Sequence, residues 1–440
     1  MTKIKQTVSI FWFRRDLRLE DNHALFEALQ CNVPVLPIFI FDTEILSQLD
    51  DKKDRRVDFI HQALVHLQKK IESHGSTLYV RAGKAVDVLK NLTEEYNIKT
   101  VYTNSDYELS AIKRDKEIQF FLQTRNIPIL FFKDQVIFEW NEVLKANGEP
   151  YSIFTPYSKI WKQKLAEMQL ETYHSEQYLQ NLLQSENEFQ ISLADIGFNK
   201  TDIVFEVPYF DADIIFNYEN TRNIPAIEGT TRLSIHLRFG TVSIRKSVEF
   251  ALKTNEQWLN ELIWREFFMS ILVHFPHVET GAFRQKYEAI AWRNNEKEFE
   301  AWCEGKTGYP IVDAGMRQLN ATGWMHNRVR MIVASFLTKH LLIDWRWGEA
   351  YFANKLIDYE LSSNNGNWQW AAGCGCDAAP YFRVFNPTEQ TKRFDPNLLY
   401  IRKWVQDLET LDYPQPIVEH SFARKRALET YKKGINNELL

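Results

Sequence analysis

Short apolar runs alternate with amphipathic stretches over the first 135 residues. Residues 8–13 and 33–41 are nearly continuous apolar runs, the pattern of strands buried on both faces. Between 54 and 75, Val57, Ile60, Leu64, Leu67 and Ile71 recur at 3-4-3-4 spacing, which predicts an amphipathic helix stopped at Gly75. A strand at 77–80 follows, then a helix with Ala85, Val88, Leu89, Leu92 and Tyr96 on one face. Residues 99–103 read as a strand, 109–123 as a helix and 127–132 as a strand. This alternation predicts an α/β N-terminal domain over 1–135, built on a doubly wound parallel sheet. Such sheets take ligands beyond the carboxyl ends of their strands.

Residues 136–215 mix polar runs, notably 180–190, with isolated apolar positions. They read as an inter-domain connector, partly helical and draped over the surface. From Tyr218 onward helical spacing dominates, so 216–440 is expected to be all-α. In the helix predicted at 255–275, Glu261, Trp264 and Arg265 fall at i, i+3 and i+4 and share a face. Trp258 and Leu262 lie on the adjoining stripe. Glu261 and Arg265 also have the spacing of a plain ion pair, worth a few tenths of a kcal/mol. The polar turn 228–234 leads into a helix, a place that suits phosphate and equally an ordinary N-cap by Thr230 or Thr231. Asn327 and Met331 share a face of a helix starting within 322–331. The densest stretch is 358–387, with Asp358, Glu360, Asn364, Asn365, Trp368 and Trp370 ahead of small residues at 371–375. Flat aromatics beside Gly, Ala and Asn make a wall for another flat ring, or a buried aromatic turn.

Composition narrows the classes. The 440 residues fit two domains or one large one, and 45% hydrophobic content supports real cores. A net charge of −5 leaves no whole-protein basic footprint, so any DNA contact must come from a local patch of Lys and Arg. The four Cys imply a reducing compartment without a disulfide framework, and Cys374-Gly-Cys376 lacks a second pair at ligand spacing, so no metal is expected. There is no apolar run of membrane length and no signal peptide, which points to a soluble, cytoplasmic protein without a membrane partner. Neither G-x-G-x-x-G after the first strand nor G-x-x-x-x-G-K-[ST] occurs, which excludes the standard dinucleotide and P-loop classes.

The strings NNGNWQWAA and DAAPYFRVFNP at 364–387, ELIWREFF at 261–268, TGWMHNRVRM at 322–331 and FRRDLR near the start closely resemble the photolyase/cryptochrome family. Within it they are most similar to class I cyclobutane-dimer photolyases. The resemblance implies FAD, active when reduced, in the helical domain. It places the diphosphate at Thr230, Thr231, Arg232, Leu233 and Ser234. Further flavin contacts are implied at Tyr218, Trp258, Glu261, Arg265, Asn327, Arg330, Asp358, Glu360 and Asn364, with Arg330 and Asp358 paired and Asn364 facing flavin N5. It implies light-driven electron transfer to a pyrimidine dimer taken out of the DNA stack, as photolyases do among base-flipping enzymes. Glu261, Trp264, Asn327, Arg328, Met331 and Trp370 would meet the lesion, with Arg222, Trp264, Arg328 and Trp370 contacting DNA. Trp368, Trp345 and Trp292 match the family's electron relay.

The same resemblance marks departures. Glu360 stands where Asp is usual, and GCGCD at 373–377 replaces hydroxyl-bearing residues. Tyr107-Glu108 matches an antenna pattern, but Ser110-Ala111 replaces the Asn-Glu pair of folate binders. A deazaflavin, another second chromophore or none remains open. Asn327 after His326, in place of a His pair, distinguishes dimer repair from repair of the (6-4) adduct. Trp370, where single-strand-preferring members carry Tyr, favours duplex substrates. The chain is expected to act as a monomer. A signalling cryptochrome is the alternative, and the short stretch after the flavin motif weighs against it.

Overall fold

The computed structural model describes residues 5–185 and 191–436, so the 186–190 part of the polar run lies outside the described residues. The chain forms two compact units, and neither is continuous. One takes 1–139, 164–209 and 233–250; the other takes 140–163, 210–232 and 251–440. The contiguous division expected at 135 and 215 therefore differs from the way the chain packs.

The first unit holds five parallel strands: β1 (Thr7–Phe13), β2 (Val35–Asp42), β3 (Tyr79–Gly83), β4 (Asn97–Asn104) and β5 (Ile129–Phe132), in the order β3-β2-β1-β4-β5. Its longer helices before residue 139 are α1 (His23–Leu29), α2 (Arg55–Glu72), α3 (Ala85–Glu95) and α4 (Leu109–Thr124). Val8, Ile10 and Trp12 of β1 pack with Ile38, Val101 and Leu89 in the core. β3 starts two residues later than its pattern suggests. Gln68 of α2 accepts the Leu78 N–H at 2.7 Å and donates to Thr77 Oγ1 at 3.0 Å, so these two residues bond to a side chain.

Arg14, Asp16, Arg18 and Asp21, whose spacing alone also fits a paired surface turn, instead reach across the first unit. Arg14 pairs with Asp115 at 2.7 Å, Arg18 with Asp134 at 2.7 Å, and Asp21 with Arg245 at 2.9 Å. Asp16, Arg18 and Asp21 are all buried. Burial, with Asp134 nearby, pushes the Asp16 carboxyl above its ordinary range.

The second unit is helical. Its main elements are α5 (Phe154–Glu167), α6 (Glu256–His274), α7 (Pro310–Thr322), α8 (Asn327–Ser335), α9 (Trp345–Lys355), α10 (Leu361–Ala372) and α11 (His420–Ile435). The α5 stretch overturns the reading of 136–215 as surface-draped. Tyr157 and Trp161, one turn apart, are 2% and 1% exposed, and Trp161 Nε1 donates to the buried Glu266 of α6 at 2.6 Å. Two glycines let the helices close up. A Cβ at Gly366 of α10 would collide with the Phe268 ring, and one at Gly348 of α9 with the Trp368 indole. Among the described residues, no helix is long and apolar enough to cross a membrane, and no cluster of metal-ligating side chains occurs. All four cysteines are free.

Candidate active site

Helix α6 begins where Asn255 accepts the Trp258 N–H at 3.0 Å, which fixes the phase of the face that follows. Glu261 and Arg265 turn to separate partners. Glu261 pairs with Arg222 and accepts from Gln257 Nε2 at 2.9 Å. Arg265 Nε donates at 3.1 Å to Glu360, the buried residue that precedes α10. Trp264 lies between them, half-buried, with Phe154 stacked on it at 3.7 Å and 4°. Trp258 is buried, edge-on to Phe210. Tyr218 carries the Arg222 guanidinium over its ring at 5.5 Å, and burial, with Glu261 nearby, holds its phenol well above the usual range.

The turn at 228–234 differs from an N-cap by threonine. Arg232 has φ +53, the helix starts at Ser234, and Leu233 occupies the cap position with no side-chain cap bond. This left-handed residue sets Thr230 and Thr231 outside the helix. Arg232 pairs with Glu228 at 2.7 Å and lies over Trp324 at 4.7 Å.

Gly323, at φ +71, stops α7, and His326 then caps α8 by accepting the Arg328 N–H at 3.2 Å. On α8, Asn327 is exposed and Met331, one turn on, is half-buried. Arg330 pairs with Asp358 at 2.9 Å, as the resemblance implies. Arg328 donates to Asn223 Oδ1 at 2.6 Å and lies over Phe394 at 4.4 Å. Burial and the nearby Arg330, Arg328, Arg232 and Arg222 push the His326 imidazole down to about 4, so it is neutral at pH 7. Burial, with Arg222, Arg393 and Arg383 nearby, also lowers Arg328. A protein of net charge −5 thus concentrates arginine here, as an anion site requires.

On α10 the Asn pair divides. Asn364 donates from Nδ2 to the Glu349 carboxylate at 2.8 Å and to its backbone carbonyl at 3.1 Å, which turns Oδ1 to the other side as an acceptor. Asn365 and Gln369 instead hold the Val278 carbonyl at 2.9 and 3.0 Å, a structural clamp. Ser362, 5% exposed, has a hydroxyl without a hydrogen-bond partner. Trp368 is 2% exposed, edge-on to Phe352 at 5.0 Å, while Trp370 is half-buried. Trp345 is buried in the same apolar core as Trp368, and Trp292 packs against that core.

Phe154, Gln257, Glu349 and Asn223 escaped the sequence reading. Phe154 sits in the Tyr-Ser-Ile-Phe-Thr-Pro string at 151–156, inside the stretch read as a connector; the other three are ordinary polar residues until the fold pairs them. The donors fit a flavin dinucleotide. An unpartnered buried hydroxyl at Ser362, an oriented amide oxygen at Asn364 and a cluster of arginines match a ring with N–H and carbonyl edges on an anionic tail.

Residues 258–412 match the family model described as the FAD binding domain of DNA photolyase, and 9–175 match that of DNA photolyase. The deoxyribodipyrimidine photo-lyase of Escherichia coli K12 is 37% identical over 97% of this chain and 98% of that protein. The bacterial class III photolyase of Agrobacterium tumefaciens superposes with a TM-score of 0.85 at 32% identity, covering 98% of each chain. The archaeal photolyase of Sulfolobus tokodaii, whose structure contains two FAD molecules, gives 0.80 at 33% identity over 97% of this chain and all of that one. A helical unit whose donors suit a flavin, joined to a sheet unit of the same lineage, leaves one assignment: the chain belongs to the DNA photolyase family and carries its FAD-binding domain.

Proposed function

We propose that this protein repairs cyclobutane pyrimidine dimers in DNA under blue light. FAD, bound in its reduced form, supplies one electron to the lesion on excitation. Everything else falls to the chain. Thr230, Thr231, Arg232, Leu233 and Ser234 hold the diphosphate, and Tyr218 and Trp258 flank the cofactor. Arg265, Arg330, Asp358 and Glu360 bind it from two locked ion pairs. Asn364, fixed by Glu349, offers flavin N5 a neutral amide that adds no negative charge.

The observation that carries the reading is the α6 face. It sets a hydrogen-bonding carboxyl, Glu261, one turn from a half-exposed indole, Trp264, beside the Arg265–Glu360 pair. The indole replaces stacking that an extruded base loses, on the order of 1–3 kcal/mol per base, and Trp370 serves a second base. The Glu261 carboxyl hydrogen-bonds the edge of the extruded pyrimidine. Asn327 and Met331 complete that wall, and Arg222 and Arg328 hold phosphates of a duplex. Trp368, Trp345 and Trp292 pass electrons inward to keep the cofactor reduced. The names of the relatives support the same reaction.

The test is illumination of purified, reduced protein with duplex oligonucleotides carrying one cyclobutane thymine dimer, one (6-4) adduct or neither. Repair of the dimer alone, in light and not in darkness, is expected. Turnover of the adduct, or bound reduced flavin with no turnover of either lesion, would overturn the reading. The spectrum of the same sample reports any second chromophore.

A further inference from the structure

We propose that Phe154 is a positioning residue for Trp264, holding the indole as a one-sided platform; this rests on the reading of Trp264 as the surface for an extruded base. The two rings lie 3.7 Å apart and 4° from parallel, so Phe154 stacks on one face of the indole. Phe267 meets the indole edge-on at 5.6 Å and 79°, and Phe268 lies tilted at 5.4 Å and 31°. Yet Trp264 remains half-exposed. On this reading one flat ring lies on the face turned away from Phe154.

The backing ring is itself held. Phe154 is the first residue of α5, and its N–H donates to Asp377 Oδ2 at 3.1 Å. Asp377 stands seven residues beyond Trp370, in the loop leaving α10. One turn into α5, the buried Tyr157 lies against Phe267 at 5.1 Å, and a turn further Trp161 bonds Glu266. Both anchoring contacts lie on α6, within three residues of Trp264. The helix that presents Phe154 is thus tied to the helix that presents Trp264, and its start is tied to the loop after the second indole. A platform fixed before binding loses no side-chain freedom when a base stacks on it, which raises affinity without adding a contact to the base.

The prediction concerns lesion selectivity, not DNA affinity, because phosphate attraction resides in the arginines. Phe154→Ala is expected to weaken binding of dimer-containing duplex about three- to tenfold, the worth of one aromatic pair, and to leave undamaged duplex unchanged. Phe154→Leu keeps apolar volume without a plane and should lose the same selectivity, so it decides the matter if the alanine variant folds poorly. Phe154→Tyr should restore it. In a Trp264→Ala background, Phe154→Ala should cost nothing further, since the two act as one unit. Unchanged selectivity in both Phe154→Ala and Phe154→Leu, or an equal loss in both backgrounds, overturns the proposal and leaves Trp264 as the platform. If Trp264→Ala alone keeps full selectivity, the platform reading and the proposal fall together.

Discussion

Gly348→Ala sets two magnitudes of opposite sign against each other. Gly348 lies inside α9, where alanine is favoured over glycine by about 1 kcal/mol on propensity. Propensity alone therefore predicts a more stable protein. Packing predicts the reverse. A Cβ there would lie 2.5 Å from Trp368 Cζ3 and 2.6 Å from Leu337 Cδ2, and closer still to Trp368 Cη2. Carbon pairs rest at about 3.5–4.0 Å, so the indole or the helix must move by about 1 Å. Neither has room. Trp368 is 2% exposed and meets Phe352 and Trp302 edge-on at 5.0 and 6.1 Å, and Leu337 is fully buried. Overpacking of this kind costs about 1–3 kcal/mol or more, enough to outweigh the propensity gain. The variant should melt below the parent, with slower photoreduction of oxidised flavin because the displaced ring is Trp368. Ala350→Gly, at an exposed site on the same helix, calibrates the propensity term. If Gly348→Ala melts higher than the parent by the amount Ala350→Gly melts lower, Trp368 does not seat on Gly348 and the packing argument is wrong.

Trp292→Phe should slow photoreduction of oxidised flavin yet spare repair by enzyme already reduced; collapse of repair in the reduced enzyme would remove Trp292 from the relay. Arg328→Ala should weaken damaged and undamaged duplex alike and reduce the slope of log affinity against log salt by about one, read by titration at several salt concentrations. Burial depresses three histidines furthest, His236 and His326 to about 4 and His340 to about 3. The unfolded chain takes up protons below about 6.5 while the folded chain does not, so stability falls as pH drops from 6.5 toward 4. The slope is about 1.4 kcal/mol per pH unit for each histidine, and His326→Gln should make the fall of melting temperature with pH less steep in acid. Burial lowers Lys339 to about 7, so its contribution to stability falls as pH drops from about 10 toward 7. Lys339→Met should melt higher than the parent at pH 7 and lose that dependence.

The parts that were legible in the sequence are those whose cause is local. Strands β1 and β2 announced themselves as apolar runs, and α6 as a spacing, because burial on two faces or one stripe writes itself into consecutive residues. The flavin strings were legible through resemblance, since a site that must fit one cofactor constrains residues that a core would leave free. The Arg330–Asp358 pair came from that source and not from spacing: its members are 28 residues apart and no periodicity joins them. Partner choice was the part that stayed hidden. Glu261 and Arg265 have ideal spacing for each other, yet Glu261 takes Arg222 and Arg265 takes Glu360. An exposed i, i+4 pair is worth only a few tenths of a kcal/mol, so any buried partner offered by tertiary packing wins. The same competition explains 136–215. A stretch of mixed polarity carries no strong periodic signal, but Tyr157 and Trp161 one turn apart suffice to bury α5 once α6 supplies Phe267 and Glu266 as partners. Glu349 follows this rule at the site itself. An isolated glutamate on α9 shows nothing in sequence, and it becomes informative only because α10 brings the Asn364 amide to it, which decides which end of that amide is left for a ligand.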